Sequence, residues 1–396
     1  MSKWEKVKLG DVCDVERGGS PRPIEKFITE DPNGINWIKI GDASPDSKYI
    51  TETKQKIITS GMKKSRYVQP GDFLLSNSMS FGRPYILKTD GCIHDGWLLL
   101  RDKNNFYHKE FLYYVLSSKS IYEKFKSLAV GGVVNNLNST IVKQVELPFP
   151  PKDTQKQIAK TLDTAAELLA MRKQQLAELD SLIKSVFYEM FGDPILNDKG
   201  WRVDNLINIT TKVGSGATPK GGKESYQSNG ISLIRSMNVH NGIFKYEQLA
   251  YINDEQANQL NSVIVEKKDV LINITGASVA RSCIVPDDVL PARVNQHVSI
   301  IRLNQDIANS EYISNMFTTE SYQKQLLSIA GAGGATREAI TKQQLLELSV
   351  PLPPLHLQNQ FATIVAKIEE QKALVKKAIE ETQTLFDSLM AEYFED

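Results

Sequence analysis

The chain is written twice, so its fold must be two related modules. Val145-Glu-Leu-Pro-Phe-Pro-Pro151 followed by Gln155-Lys-Gln-Ile158 returns as Leu348-Ser-Val-Pro-Leu-Pro-Pro354 followed by Gln358-Asn-Gln-Phe361. An offset of roughly 196–203 residues is far too long for a solenoid repeat and marks a duplicated domain. Other pairs keep the same order: Trp4 with Trp201, Gly18-Gly-Ser-Pro21 with Gly216-Ala-Thr-Pro219, and Trp37-Ile-Lys39 with Leu233-Ile-Arg235. Asp72-Phe-Leu-Leu75 pairs with Asp269-Val-Leu-Ile272, Gly82-Arg83 with Ala280-Arg281, Leu99-Leu-Arg101 with Ile300-Ile-Arg302, and Gly131-Gly132 with Gly333-Gly334. The ends of the copies agree best and the middles drift, as expected of one scaffold carrying two recognition surfaces.

Each Pro-rich stretch opens a heptad helix. From Ile158 the seam positions step four, three, four, three: Ile158, Leu162, Ala165, Leu169, Arg172, Leu176, Leu179, Ile183, Val186 and Met190. Adding 203 gives Phe361, Val365, Ile368, Lys372, Val375, Ile379, Thr382, Phe386, Leu389 and Tyr393. A strict 3.5-residue repeat predicts a coiled-coil seam. Proline tolerates only the first turn of a helix and disfavours helix before it, so the first helix is predicted over about 156–190, capped by Asp153 or Thr154 and stopped by Phe191-Gly192-Asp193-Pro194. Each helix follows its own globular segment, and the simplest pairing is antiparallel. A plain helical hairpin, or homodimerisation through these helices, stays open.

These boundaries predict an α+β chain of four parts: a first recognition module over 1–151, a helical spacer over 152–192, a second module over 193–354 and a C-terminal helical spacer over 355–396. Within the modules, Ile35–Ile40, Asp72–Leu75, Gly96–Arg101, Ile231–Ile234, Val270–Ile274 and Val298–Arg302 read as strands of a small mixed or barrel-like sheet, with helices over about 108–127 and 309–328.

Charge and cysteine usage narrow the function. Net charge is zero, but residues 1–151 carry 22 basic against 17 acidic residues, a net of +5, and residues 355–396 carry 4 against 8, a net of −4. A strong nucleic-acid binder is usually more basic, so any positive surface is local or partners complete it. The spacer helices, neutral and acidic, suit protein docking better than contact with phosphates. Cys13, Cys92 and Cys283 are isolated and read as reduced cytosolic thiols, neither a disulfide frame nor a zinc site. No apolar run reaches the roughly 18–20 residues of a membrane span.

Polar residues cluster in matching loops between strands. Ser76-Asn-Ser78 with Ser80 and Arg83 faces Asn273 with Thr275, Ser278 and Arg281; His94-Asp95 aligns with Asn295-Gln296-His297; and Lys39-Ile-Gly-Asp42 aligns with Arg235-Ser-Met-Asn238. These residue types match base-edge donors and acceptors, although solvated turns would look the same one residue at a time. Catalytic motifs are missing. The run Gly214-Ser-Gly-Ala-Thr-Pro-Lys-Gly-Gly-Lys223 places Glu224 where a phosphate loop needs Ser or Thr, and reads as a flexible or phosphate-touching loop. His94 and Asp95 would point to opposite faces if they lay on a strand, which argues against acid–base work.

The paired Leu-Pro-x-Pro-Pro-x-x-x-Gln segments at 147–155 and 350–358, with Gly-Ser-Pro, Ala-Thr-Pro and Phe191-Gly-Asp-Pro194, resemble the DNA-specificity subunits of type I restriction-modification systems. The resemblance covers essentially the whole chain. It implies two target-recognition domains reading the halves of a bipartite, asymmetric site on double-stranded DNA. The antiparallel helices would fix the gap and dock two methyltransferase subunits, with restriction subunits joining the full complex. The chain itself would be cytoplasmic, non-catalytic and without cofactor or metal; S-adenosylmethionine, ATP and magnesium would sit on the partners. The DNA-contacting residues expected from the matching loops are Lys39, Asp42, Ser78, Ser80, Arg83, His94, Asp95, Arg235, Asn238, Thr275, Ser278, Arg281, Asn295, Gln296 and His297. Two alternatives are an interaction scaffold that never touches bases and a specificity partner of a fused methyltransferase-nuclease.

Overall fold

Two helices of 40 residues, Lys152–Phe191 and Leu355–Phe394, each begin within a residue of a Pro-Pro pair. At about 1.5 Å per residue each is ~60 Å long. The first starts ahead of the expected cap: Asp153 and Thr154 lie inside the first turn, where Asp153 complements the N-terminal end of the helix dipole. It ends as predicted. Gly192 takes a left-handed φ of +76° and its N–H returns to the Tyr188 carbonyl at 2.9 Å. A computed structural model describes residues 4–77, 81–129, 137–219, 222–331 and 338–395. Ser78, Ser80, the pairs Gly131-Gly132 and Gly333-Gly334, and Lys220-Gly221 of the Gly-rich run lie outside the described residues.

The chain divides into two compact units, Met1–Lys173 with Lys377–Asp396, and Gln174–Lys376, so each unit holds one module and half of each long helix. In the first unit, Lys6–Lys8 pairs with Glu146–Pro148 just before the Pro-rich turn. One sheet runs Cys13–Arg17, Trp97–Asp102, Phe73–Ser76, Pro84–Leu87, Tyr49–Ile50; the other runs Ile28–Thr29, Gln55–Ile57, Ile35–Ile38, Gly91–Ile93, Arg66–Val68. The second unit repeats this plan. Arg202–Asn205 pairs with Ser349–Leu352; one sheet runs Thr210–Ser215, Val298–Leu303, Val270–Asn273, Ser282–Ile284, and the other runs Ala250–Ile252, Ile231–Ile234, Ala292–Val294, Ile264–Val265. In both, the strand at Ile35 or Ile231 pairs in parallel with the strand ending at Ile93 or Val294. The sheet that begins at Thr210–Ser215 is antiparallel throughout, the other three larger sheets each include a parallel pair, and no described sheet closes into a barrel.

The helices expected at 108–127 and 309–328 are each two helices: Lys109–Ser117 and Lys119–Ala129, then Ser310–Thr318 and Glu320–Gly331. Ser118 and Thr319 break them in extended conformation (ψ 149° and 148°), and their hydroxyls accept the Ile121 and Tyr322 N–H groups, restarting the next turn. An apolar period continues through such a break, which is why it reads as one helix.

The repeated Pro-Pro-x-x-x-Gln segment is a clasp. Gln155 and Gln358 are 1% and 0% exposed. Each carboxamide donates to the Pro150 or Pro353 carbonyl (2.9 and 2.8 Å) and accepts the N–H of His108 or Asn309 (2.7 and 2.9 Å). Tyr107 and Tyr312 hydroxyls donate to Pro148 and Pro351 (3.2 and 2.7 Å). Helix start, module helix and closing strand are thereby tied together twice in the same way.

The long helices pack antiparallel. In the second unit Phe187 and Phe191, at the end of the first helix, put their rings 5.6 and 5.4 Å from Phe361, at the start of the second. In the first unit Ile158, Ala159 and Leu162 share a core with Phe386, Leu389, Met390 and Phe394. The ten seam positions of each helix are buried or half-buried. Its polar members are paired: the Arg172 guanidinium bonds to the Ala378 carbonyl and Thr382 hydroxyl, and Lys372 sits 2.7 Å from Asp180 and 2.6 Å from Glu369. Among the described residues, no helix is long and apolar enough to cross a membrane.

Candidate functional site

In both modules the parallel strand pair ends in one turn, built alike. The N–H of His94 or Asn295 donates to the carbonyl of Ile38 or Ile234 (3.1 and 3.0 Å), and the N–H of Trp97 or Val298 closes the turn (3.1 and 3.3 Å). The side chain at its head accepts the N–H two residues on: Gly96 N–H to His94 Nδ1 at 2.9 Å, and His297 N–H to Asn295 Oδ1 at 3.0 Å. That is the Asx-type turn, with imidazole standing in for an amide oxygen in the first copy. The segment Gly-Ser-Pro or Ala-Thr-Pro lies against the turn. A Cβ on Gly18 would stand 2.2 Å from the His94 carbonyl oxygen, and one on Gly216 1.7 Å from the Val294 oxygen, so only glycine permits this approach.

The approach brings a hydroxyl to the second turn residue. Ser20 donates to Asp95 Oδ1 at 2.8 Å, and Thr218 donates to Gln296 Oε1. His94 Nε2 also lies 2.9 Å from Asp95 Oδ1. With Nδ1 accepting from Gly96, the neutral ring carries its hydrogen on Nε2 and donates it to the carboxylate. The expectation that His94 and Asp95 point apart fails because they occupy a turn, not a strand. Burial works against ionisation of Asp95, but the Ser20 hydroxyl, His94 and Arg17 hold its carboxyl below the usual range. In the second module Gln296 Nε2 lies 3.2 Å from His297 Nε2, and His297 Nδ1 lies 2.6 Å from the Thr275 hydroxyl. This makes a polar chain from Thr218 to Thr275.

Around the first turn, Lys39, His94 and Asp95 share a cleft of about 600 Å³ with Ser20, Arg22 and Gln55. Lys39 Nζ donates to Gln55 Oε1 at 2.7 Å, and Trp37 meets His94 edge-on at 6.0 Å. Asp42 faces inward along its own turn, accepting the Lys39 N–H at 2.8 Å. Its counterpart Asn238 is fully buried, accepts the Arg235 N–H at 3.0 Å and donates to the Lys245 carbonyl at 2.9 Å. Asn295, 6% exposed, is likewise spent on its turn. Arg235 stacks 5.4 Å over Tyr226 and donates to the Gln248 carbonyl.

Arg83 lies in another cleft, with Lys119 and Tyr122, over the ring of Tyr85. Ser278 ends a short turn at Gly276–Ser278, and Arg281 follows it, its N–H on the Ser278 carbonyl at 3.3 Å; Arg281 makes no ion pair among the described residues, and burial, then Lys245 and Arg281, lowers the His240 pKa. Ser20 and Thr218 escaped the sequence reading, although their alignment inside Gly-Ser-Pro and Gly-Ala-Thr-Pro was the available signal. Arg22 and Gln55 have no aligned partner to reveal them. Among the described residues no group of three or more His, Cys, Asp or Glu is placed to hold a metal ion.

The family model for the type I restriction modification DNA specificity domain matches residues 1–181 and 198–383, one match per module. The MjaVIII type I restriction enzyme specificity subunit of Methanocaldococcus jannaschii is 21% identical over 98% of this chain and 91% of its own length. Among solved structures, a chain from a study of complex assembly and conformational transition of the type I R-M system superposes with a TM-score of 0.62 at 18% identity, covering 99% of this chain and 97% of that one. The type I S subunit from M. genitalium gives a TM-score of 0.60 at 16% identity over 100% and 97% of the two chains.

Proposed function

The chain belongs to the type I restriction modification DNA specificity family, with two target-recognition domains, and on that premise we propose that it is the non-catalytic reader of a bipartite, asymmetric DNA site. Each module takes one half-site through the turn headed by His94 or Asn295 and the basic residues beside it. The observation that carries this reading is the pair of turns: one scaffold, held by matching hydrogen bonds, presenting Asp95 in one copy and Gln296 in the other. Equal scaffolds with unequal recognition groups suit two half-sites of different sequence. Lys39 and Arg235, aligned cations at the starts of matching turns, are suited to phosphates, which position a protein without specifying sequence.

The paired helices act as spacer and as docking surface for two methyltransferase subunits. Two pairs of exposed apolar side chains support two like partners: Met171 and Leu374 (60% and 58% exposed) stand at equivalent positions, as do Leu182 and Leu385 (45% and 52%). Partners would supply S-adenosylmethionine and adenine methylation, and restriction subunits ATP-driven translocation and magnesium-dependent cleavage, all in the cytoplasm. Phosphate charge shared with those partners accounts for a neutral reader. The test is a genome-wide map of methylated adenines with and without this chain. A bipartite motif that vanishes with the chain supports the reading; unchanged methylation, with no sequence-dependent gel shift in the presence of the methyltransferase, refutes it in favour of a scaffold.

A further inference from the structure

We propose that Asp95 and Gln296 are the residues by which the two modules demand opposite hydrogen-bond character from a base edge: Asp95 takes a base that donates, and Gln296 one that accepts. The inference rests on the DNA-reading function above and names its determinants.

The two side chains are fixed through the same atom and left free at different ones. Asp95 Oδ1 receives the Ser20 hydroxyl at 2.8 Å and faces His94 Nε2 at 2.9 Å. Its Oδ2 accepts no hydrogen bond among the described residues; the nearest cation is Arg22 Nη2 at 3.6 Å, on a side chain 81% exposed. Gln296 Oε1 receives the Thr218 hydroxyl, and Nε2 gives one hydrogen to His297, so the second amide hydrogen is unspent. The first module thus presents a pre-oriented acceptor that cannot donate, and the second a pre-oriented donor.

In the major groove cytosine and adenine offer an amino group, whereas the groove-facing edges of guanine and thymine offer acceptors and no donor. A carboxylate facing guanine or thymine leaves two acceptors opposed, so Asp95 selects cytosine or adenine and refuses the others. The free hydrogen of Gln296 suits guanine O6 or N7, thymine O4 or adenine N7. The turn does not need the carboxylate for its shape: the Asp95 carbonyl is held separately by Asn77 Nδ2 at 2.8 Å and Arg17 Nε at 3.2 Å. Arg22 and Lys39 line the same cleft and can carry the adjoining phosphates.

The experiment incubates the reconstituted methyltransferase complex with duplexes randomised over both half-sites and sequences the methylated products, using wild-type chain, Asp95→Asn and Gln296→Glu. Both substitutions keep size and leave the oxygen that accepts the Ser20 or Thr218 hydroxyl; in Gln296→Glu the new oxygen accepts from His297 Nε2, where the amide donated to it. Asp95→Asn is expected to lower the preference for cytosine or adenine at one position of one half-site by about tenfold, the scale of one base-edge contact. Gln296→Glu should move one position in the other half toward cytosine or adenine. Unchanged profiles, equal loss across all sequences, or changes in both halves from one substitution overturn the inference. A wild-type chain showing no bipartite preference would instead defeat the underlying function, and is read before either variant.

Discussion

Gln358 illustrates how much one buried amide can hold. Replaced by leucine, it leaves the Asn309 N–H and the Pro353 carbonyl without partners in the interior. Each orphaned group costs roughly 1–3 kcal/mol, so Gln358→Leu should lower the unfolding free energy by about 3 kcal/mol in a urea titration, and Gln155→Leu should do the same for the first unit. A loss under about 0.5 kcal/mol would show that the clasp is ornamental. The three cysteines make a second residue-scale test. Burial, reinforced by Asp102, pushes the Cys13 thiol up to about 12; burial pushes Cys283 up to about 12 and raises Cys92. A raised thiol pKa leaves about one thiolate in ten thousand at pH 8 for Cys13 and Cys283, and the thiolate is the nucleophile. Iodoacetamide should therefore spare all three in the native chain and modify all three after denaturation. Rapid labelling of any one in the native state would contradict its environment.

Among the elements, the seam shows what periodicity tells and what it hides. Apolar spacing alone placed both long helices, and the duplicated Pro-Pro-x-x-x-Gln placed the start of the first to within about one turn, because helix termination and heptad packing are local properties. Arg172, Lys372 and Thr382 look like flaws in that pattern, yet Arg172 bonds to Thr382 and Lys372 to Asp180, pairings that join positions some 200 residues apart and are invisible locally. The same limit applies to the site. The turns at His94 and Asn295 aligned as sequence, but the roles of Ser20 and Thr218, or the inward use of Asn238 and Asn295, depend on which strand end each loop meets. Polar layers cost stability and restrict register and partner choice. Replacing both Arg172 and Thr382 with leucine should raise the thermal midpoint by a few degrees while adding self-associated species in light scattering. A monodisperse, stabilised variant would show that the layer has no part in specifying the pairing.

For the whole molecule, paired helices that set the distance between half-sites, as proposed, must change that distance when both are lengthened. One heptad inserted into each helix at seam-matched positions adds about 10.5 Å of helix, close to three base pairs at 3.4 Å each. The recognised spacer should lengthen by about that amount in the methylated motif. Length is only half of the expectation, because three base pairs also turn the DNA by nearly a third of a revolution, whereas a heptad barely rotates a coiled-coil seam. A module carried along the strut would then face the wrong side of the groove unless the DNA twists to meet it. Insertions of one or two heptads should weaken methylation strongly. Three heptads, about 31.5 Å against the 34–36 Å of a helical turn, should recover much of it with a spacer some nine to ten base pairs longer. Recovery at three but not at one or two would be the signature of a rigid ruler on helical DNA. An unchanged spacer at every length would mean that the modules find their half-sites without it.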